Sequence, residues 1–125
     1  MTLRNTLTVL TDYRDLNGII ESNPKFAPSD IDMIYERNGQ FLVVEWKKPN
    51  EEFGGGQKRM LKALAKTPNF TVLTVCGYSE DTKLTIYDFK QITTLDTLKH
   101  LGQGKQAFIN YIQDWYAKAD NVQKP

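Results

Sequence analysis

The stretch SDIDMIYERNGQFLVVEWK, residues 29–47, decides the fold. Two apolar runs flank Asn38-Gly39, a dipeptide that signals a two-residue type I′ turn because both of its central positions need positive φ. Such a turn sets Arg37 opposite Gln40, so paired residue numbers sum to 77. Asp32 then faces Glu45, and Asp30 faces Lys47. Directly opposed residues project from one face of a sheet, as do residues two apart along a strand. Asp30, Asp32, Glu45 and Lys47 therefore form one polar cluster, with two carboxylates approaching within roughly 5 Å at Cβ. Like charges at that spacing repel unless a cation sits between them, so the pattern predicts a divalent metal site. Asp30 opposite Lys47 reads equally well as a cross-strand ion pair.

Working outward, Phe41, Val43, Glu45 and Lys47 point one way and Leu42, Val44 and Trp46 the other, which predicts a strand buried on both faces inside an α/β sheet. The segment PNEEFGGG, residues 49–56, breaks the pattern as a loop. A helix is expected over 57–66, with Met60, Leu61 and Leu64 on its buried stripe and Gln57 on that same side in the first turn. Lys58, Arg59, Lys62 and Lys66 fall on the opposite side, either as a solvated face or as phosphate contacts beside a catalytic centre. The β-branched run FTVLTVC, residues 70–76, predicts a strand that a right-handed crossover sets parallel to the first. A further strand is expected over 84–89, a short helix over 92–101, and a longer amphipathic helix over 105–119, with residues 121–125 as a frayed tail. Before the hairpin, a helix is expected over 12–21, with Thr11 as its cap and Leu16, Ile19 and Ile20 as its stripe. Residues 2–10 read as either helix or strand.

Composition bounds these elements. The 125 residues are 40% hydrophobic and 25% charged, which suits one globular domain over 1–120. The one cysteine, Cys76, excludes a disulfide framework and a cysteine-rich zinc site and predicts a reducing, cytoplasmic setting. The opening MTLRNTLTVL lacks an unbroken apolar core, and no later run approaches the length of a bilayer span, so neither a signal peptide nor a membrane partner is expected. A net charge of +1 gives no global argument for a polyanion, leaving local lysine and arginine clusters to supply one. His100 stands alone and reads as structural, Cys76 as a buried small hydrophobe, and Trp46 as core. The run Gly54-Gly55-Gly56-Gln57-Lys58-Arg59 is not a nucleotide-binding phosphate loop, since no Ser or Thr follows the lysine.

An aspartate, a gap of 12 residues, Glu-x-Lys ending an apolar strand, then a loop and Gly-Gln opening a helix resembles the PD-(D/E)XK nuclease superfamily. The residues are Asp32, Glu45-Trp46-Lys47 and Gly56-Gln57. The context Pro28-Ser29-Asp30-Ile31-Asp32 is similar to small phage and bacterial members, Holliday-junction-resolvase-like or VRR-NUC-like. The resemblance implies a restriction-endonuclease-like α/β core, a central mixed sheet of αβββαβ type flanked by helices. Many members place another acidic residue on a helix before the hairpin; Asp12, Asp15 and Glu21 all qualify here, with nothing to choose between them.

The chemistry is consistent with that likeness. Asp32 and Glu45 offer hard oxygen ligands suited to Mg²⁺ or Mn²⁺, and the backbone carbonyl of Trp46 can add another. Lys47 can orient or deprotonate a water, or stabilise the pentacovalent phosphate. Gln57 can hold a water or phosphate oxygen at a helix N-terminus, or is a plain polar residue there. Asp30 is a ligand or a partner of Lys47. Lys48, Lys58, Arg59, Lys62 and Lys66 are the expected nucleic-acid contacts. The reading is a metal-dependent endonuclease acting on DNA, with RNA still open, selective for branched structures and homodimeric so that two sites reach two strands. The alternatives are a non-catalytic nucleic-acid-binding or assembly module of the same fold, or an unrelated hydrolase of small phosphate esters.

Overall fold

The computed structural model describes residue 12, residues 14–49 and residues 55–122, with side chains in the last segment from 58 onward. The chain divides into two units, Met1–Asp30 and Ile31–Pro125.

In the first unit, the helix expected over 12–21 does not form. A single 3₁₀ turn spans Arg14–Leu16, followed by irregular turns. Asp12 Oδ1 accepts the Arg14 N–H at 3.0 Å, a bond of N-cap type that starts a turn the chain does not extend. Gly18 then takes a φ of +78°, which ends the turn. The helix and strand alternatives for 2–10 lie outside the described residues.

The second unit is an α/β assembly built on a mixed five-stranded sheet in the order β1-β2-β3-β4-β5, with a helix on each face. The hairpin of β1 (Met33–Arg37) and β2 (Gln40–Lys47) has the expected register, from Met33 opposite Val44 to Arg37 opposite Gln40. Asn38 and Gly39 both adopt positive φ, 51° and 78°, the requirement that marked the turn. Helix α1 (Gly55–Ala65) carries the chain to β3 (Phe70–Glu80), which lies parallel to β2 with Glu45 beside Thr74 and Lys47 beside Cys76. β4 (Lys83–Ile92) and β5 (Leu98–Gly102) continue the sheet antiparallel, and α2 (Lys105–Asp120) closes the unit.

Alternation along β2 divides the core into two layers. Leu42 and Val44 pack with Leu73, Val75, Phe89 and Phe108 beneath α2, while Val43 packs with Val72, Ile92, Leu61 and Ala65 beneath α1. At about 25 cal/mol per Å² of apolar surface, each such fully buried aliphatic side chain contributes roughly 1.5–3 kcal/mol. Trp46 belongs to the α2 layer, its ring edge-on to Phe108 at 6.0 Å.

Several elements depart from expectation. No helix forms over 92–101. Ile92 ends β4, Asp96 turns the chain at a φ of 63°, and Leu98 opens β5. Thr93 Oγ1 accepts the N–H groups of Leu95 and Thr97, both at 3.2 Å, so a side chain holds the turn together. The described elements run ββαβββα rather than αβββαβ: no described strand precedes the hairpin, and two follow the crossover strand. Asp120 pairs with Arg37 at 2.6 Å, and Asn121 Nδ2 donates to the Ala117 carbonyl at 3.0 Å. No described helix is long and apolar enough to cross a membrane.

Candidate active site

The site forms where the β1–β2 ladder ends. β1 begins at Met33, so Asp32 stands just beyond the last paired residue, across from Glu45. There the two carboxylates replace ladder carbonyls. Asp32 N–H donates to Glu45 Oε1 at 3.2 Å, and Asp32 Oδ2 accepts the Trp46 N–H at 2.8 Å. Each acid thus binds the backbone beside the other, fixing both carboxylates at one end of the hairpin. Glu45 is fully buried, whereas Asp32 is exposed. A buried ionised carboxylate is costly unless hydrogen bonds or a cation compensate it.

Strand alternation places Glu45 and Lys47 on the α1 side of the sheet. Register then extends that side across three strands: Glu45, Thr74 and Lys90 form one row, and Lys47, Cys76 and Asp88 the next. Apart from the fully buried Glu45, the members of both rows line a cavity of about 390 Å³ bounded by the sheet, α1 and the turn before β5. Thr74, Cys76, Asp88 and Lys90 are the members that sequence reasoning missed. The alternation of Val72, Thr74 and Cys76 was a usable signal, but the parallel register that aligns it with Glu45 is a long-range property. Cys76 is only half-buried and lines the cavity, so it is not the enclosed hydrophobe expected.

The basic stripe of α1 is split. Lys58 and Lys62 line the cavity, Arg59 is exposed, and Lys66 Nζ sits 3.1 Å from Asp96. They do not form one face opposite the core. On the other side of the sheet a second cavity, about 450 Å³, is lined by Met33, Trp46 and Tyr78 together with Lys47 and Lys48. Trp46 Nε1 points to Met33 Sδ at 3.3 Å, in keeping with a core residue.

The remaining candidates divide as follows. Gln57 lies in the first turn of α1, its side chain outside the described residues. Asp30 lies outside β1 and belongs to the Met1–Asp30 unit. Asp12, Asp15 and Glu21 belong to the Met1–Asp30 unit. Asp12 is engaged there by Arg14 at 2.6 Å; that guanidinium, then the Arg14 backbone N–H, holds its carboxyl below the usual carboxylate range. His100 is exposed on β5.

Among the described residues no group of three or more His, Cys, Asp or Glu side chains converges as a metal cage. The donor set at the ladder end is two carboxylates and neighbouring backbone. A carboxylate offers roughly four lone-pair sites, so accepting a backbone N–H does not preclude ligation. All-oxygen donors in that small number fit Mg²⁺, which keeps several waters and takes one or two carboxylates, and do not fit zinc. The chain matches no family model, no curated protein and no solved structure.

Proposed function

We propose that this protein is a metal-dependent endonuclease of PD-(D/E)XK type, with a restriction-endonuclease-like core, that hydrolyses DNA phosphodiester bonds. The observation that carries the reading is the reciprocal bonding of Asp32 and Glu45 at the end of the hairpin, with Lys47 one pleat further along the same face. Asp32 and Glu45, helped by the Trp46 carbonyl, would hold Mg²⁺ or Mn²⁺. The ion, when bound, supplies positive charge to the phosphoryl oxygens and acidifies a water. Lys47 donates from Nζ to a non-bridging oxygen as negative charge grows there in the transition state. Gln57, in the first turn of α1, orients the attacking water or a phosphate oxygen. Lys48, Lys58 and Arg59 neutralise flanking phosphates, fixing register without reading bases. A twofold dimer brings two such sites to the two strands of a branched substrate.

The test is incubation of supercoiled plasmid and of a four-way junction with Mg²⁺, Mn²⁺ or EDTA, with Glu45→Ala and Lys47→Ala proteins run in parallel. Nicking that needs metal and falls by about 10²-fold or more in each variant is expected, the range for losing a positioned catalytic group. Absence of metal-dependent cleavage by the wild-type protein, or cleavage that persists in both variants, overturns the proposal. DNA binding without cleavage would identify the non-catalytic module instead.

A further inference from the structure

The cavity beneath α1 has a lining that specifies its occupant more closely than a general affinity for DNA. Its volume, about 390 Å³, falls within the range of small-ligand clefts, roughly 300–1,000 Å³. Lys58 and Lys62 reach it from α1 and Lys90 from β4, beside Lys47. None of the ion pairs among the described residues involves Lys58, Lys62 or Lys90. Of the two aspartates in the lining, Asp96 is already neutralised by Lys66, leaving Asp88. Like charges gathered around one cavity favour an anion there.

An anion alone does not account for the rest of the lining. Leu98, 57% exposed at the cavity's edge, offers an apolar surface suited to a flat hydrophobic body, above a floor that Leu61 and Ile92 close. Asp88, on the sheet floor beside Cys76, only accepts hydrogen bonds when ionised, so it calls for an N–H or O–H donor on the ligand. Phosphate answers the lysines but not the other two features. A nucleotide answers all three: phosphate for the lysines, base for the apolar surface, and an amino or imino edge for Asp88. Lys47 belongs both to this lining and to the proposed catalytic set, so the nucleotide adjoins the scissile phosphate. A base paired and stacked in a duplex cannot enter a cavity; it must first leave the stack.

We infer that the cavity takes one unpaired nucleotide next to the bond to be cut, which makes the substrate a strand with single-stranded, frayed or branched character. The link to cutting rests on the nuclease reading. The nucleotide pocket does not.

Binding in EDTA separates the two. Fluorescence anisotropy of a labelled single-stranded oligonucleotide is measured for the wild type and for Lys62→Ala, Lys90→Ala and Asp88→Asn, with a blunt duplex of the same sequence as comparison. Expected are single-strand binding at least about tenfold tighter than duplex, and weaker binding in each lysine variant with the salt dependence shallower by about 0.7 in log–log slope. Asp88→Asn, which can donate as well as accept, reorders preference among the four homopolymers. Free deoxynucleoside monophosphate as competitor shows whether a lone nucleotide enters or only one within a strand. Lysine variants that bind the single strand like wild type, duplex bound as tightly as single strand, or inorganic phosphate competing as well as the mononucleotide would each overturn the inference. Lysine-dependent, single-strand-selective binding in a protein that never cleaves leaves the pocket standing and removes the nuclease. Metal-dependent cleavage alongside unaltered binding by the lysine variants does the reverse.

Discussion

Asp32 has two roles that one pair of substitutions can separate. Its Oδ2 accepts the Trp46 N–H at 2.8 Å, a structural bond at the open end of the hairpin, and its charge is half of the proposed metal ligation. Asp32→Ala removes both. A hydrogen bond to a charged acceptor contributes about 1.5–3 kcal/mol, and the low end applies because Asp32 is exposed. A loss of about 1.5 kcal/mol lowers Tm by roughly 5 °C for a chain of this size. Asp32→Asn keeps an amide oxygen where Oδ2 was and costs under about 0.5 kcal/mol, the range for benign surface changes. The order reverses for metal. At a hundredfold excess over Kd, Mg²⁺ stabilises a binding-competent fold by about 2.7 kcal/mol, so wild-type Tm rises and neither variant follows. Differential scanning calorimetry in EDTA and then in excess Mg²⁺ reads both effects. The reasoning fails if Asp32→Asn melts as low as Asp32→Ala in EDTA, because the acceptor would then be irrelevant. It fails equally if Mg²⁺ raises the Tm of Asp32→Asn as much as that of the wild type.

Three further outcomes follow from packing and charge. Gly77→Ala would put a Cβ 2.2 Å from the Thr85 carbonyl oxygen, forcing β3 and β4 apart; a loss of about 1–3 kcal/mol is expected in urea unfolding, and an unchanged midpoint would refute the close approach. Asn38→Gly keeps the positive φ but removes the Nδ2 bonds to the Ala119 and Asp120 carbonyls, at 3.2 and 3.3 Å, that dock the end of α2 on the turn. It should cost about 1 kcal/mol and raise amide exchange at residues 117–121, while equal exchange in both proteins would deny that docking. Burial pushes the Tyr111 phenol above its ordinary value of 10.0, so its contribution to stability is complete below pH 10 and is lost as pH rises through the raised folded value. Tyr111→Phe should flatten the alkaline decline of Tm, and an identical decline in both proteins would assign it to other groups.

What was legible in the sequence was local. Asn38-Gly39 states its own backbone geometry, and from two φ signs the register of the first hairpin, and with it the meeting of Asp32 and Glu45, follows. The misread elements failed for equally local reasons. Leu95, Leu98 and Leu101 recur at a helical interval, yet Leu95 is 82% exposed at a turn and the other two lie in β5. Leu16, Ile19 and Ile20 also suggested a helical stripe, but Gly18, at a φ of +78°, interrupts it between Leu16 and Ile19.

The second hairpin shows why the cavity could not be found by the argument that found the carboxylates. Its turn sets Glu80 opposite Lys83, Ser79 opposite Leu84 and Gly77 opposite Ile86. Continued without interruption, that register would oppose Cys76 to Tyr87 and Thr74 to Phe89, putting two aromatics on the polar side and turning Asp88 and Lys90 into the α2 core. The bulge between Cys76 and Gly77 prevents this by shifting the pairing one residue, so that Cys76 meets Asp88 and Thr74 meets Lys90. Phe89 is thereby returned to the apolar layer, 1% exposed. One unpaired residue decides which side of β4 faces the cavity. The carboxylate pair thus rests on turn chemistry within the hairpin, and the pocket beside it on a bulge that Gly77 permits by lacking a Cβ.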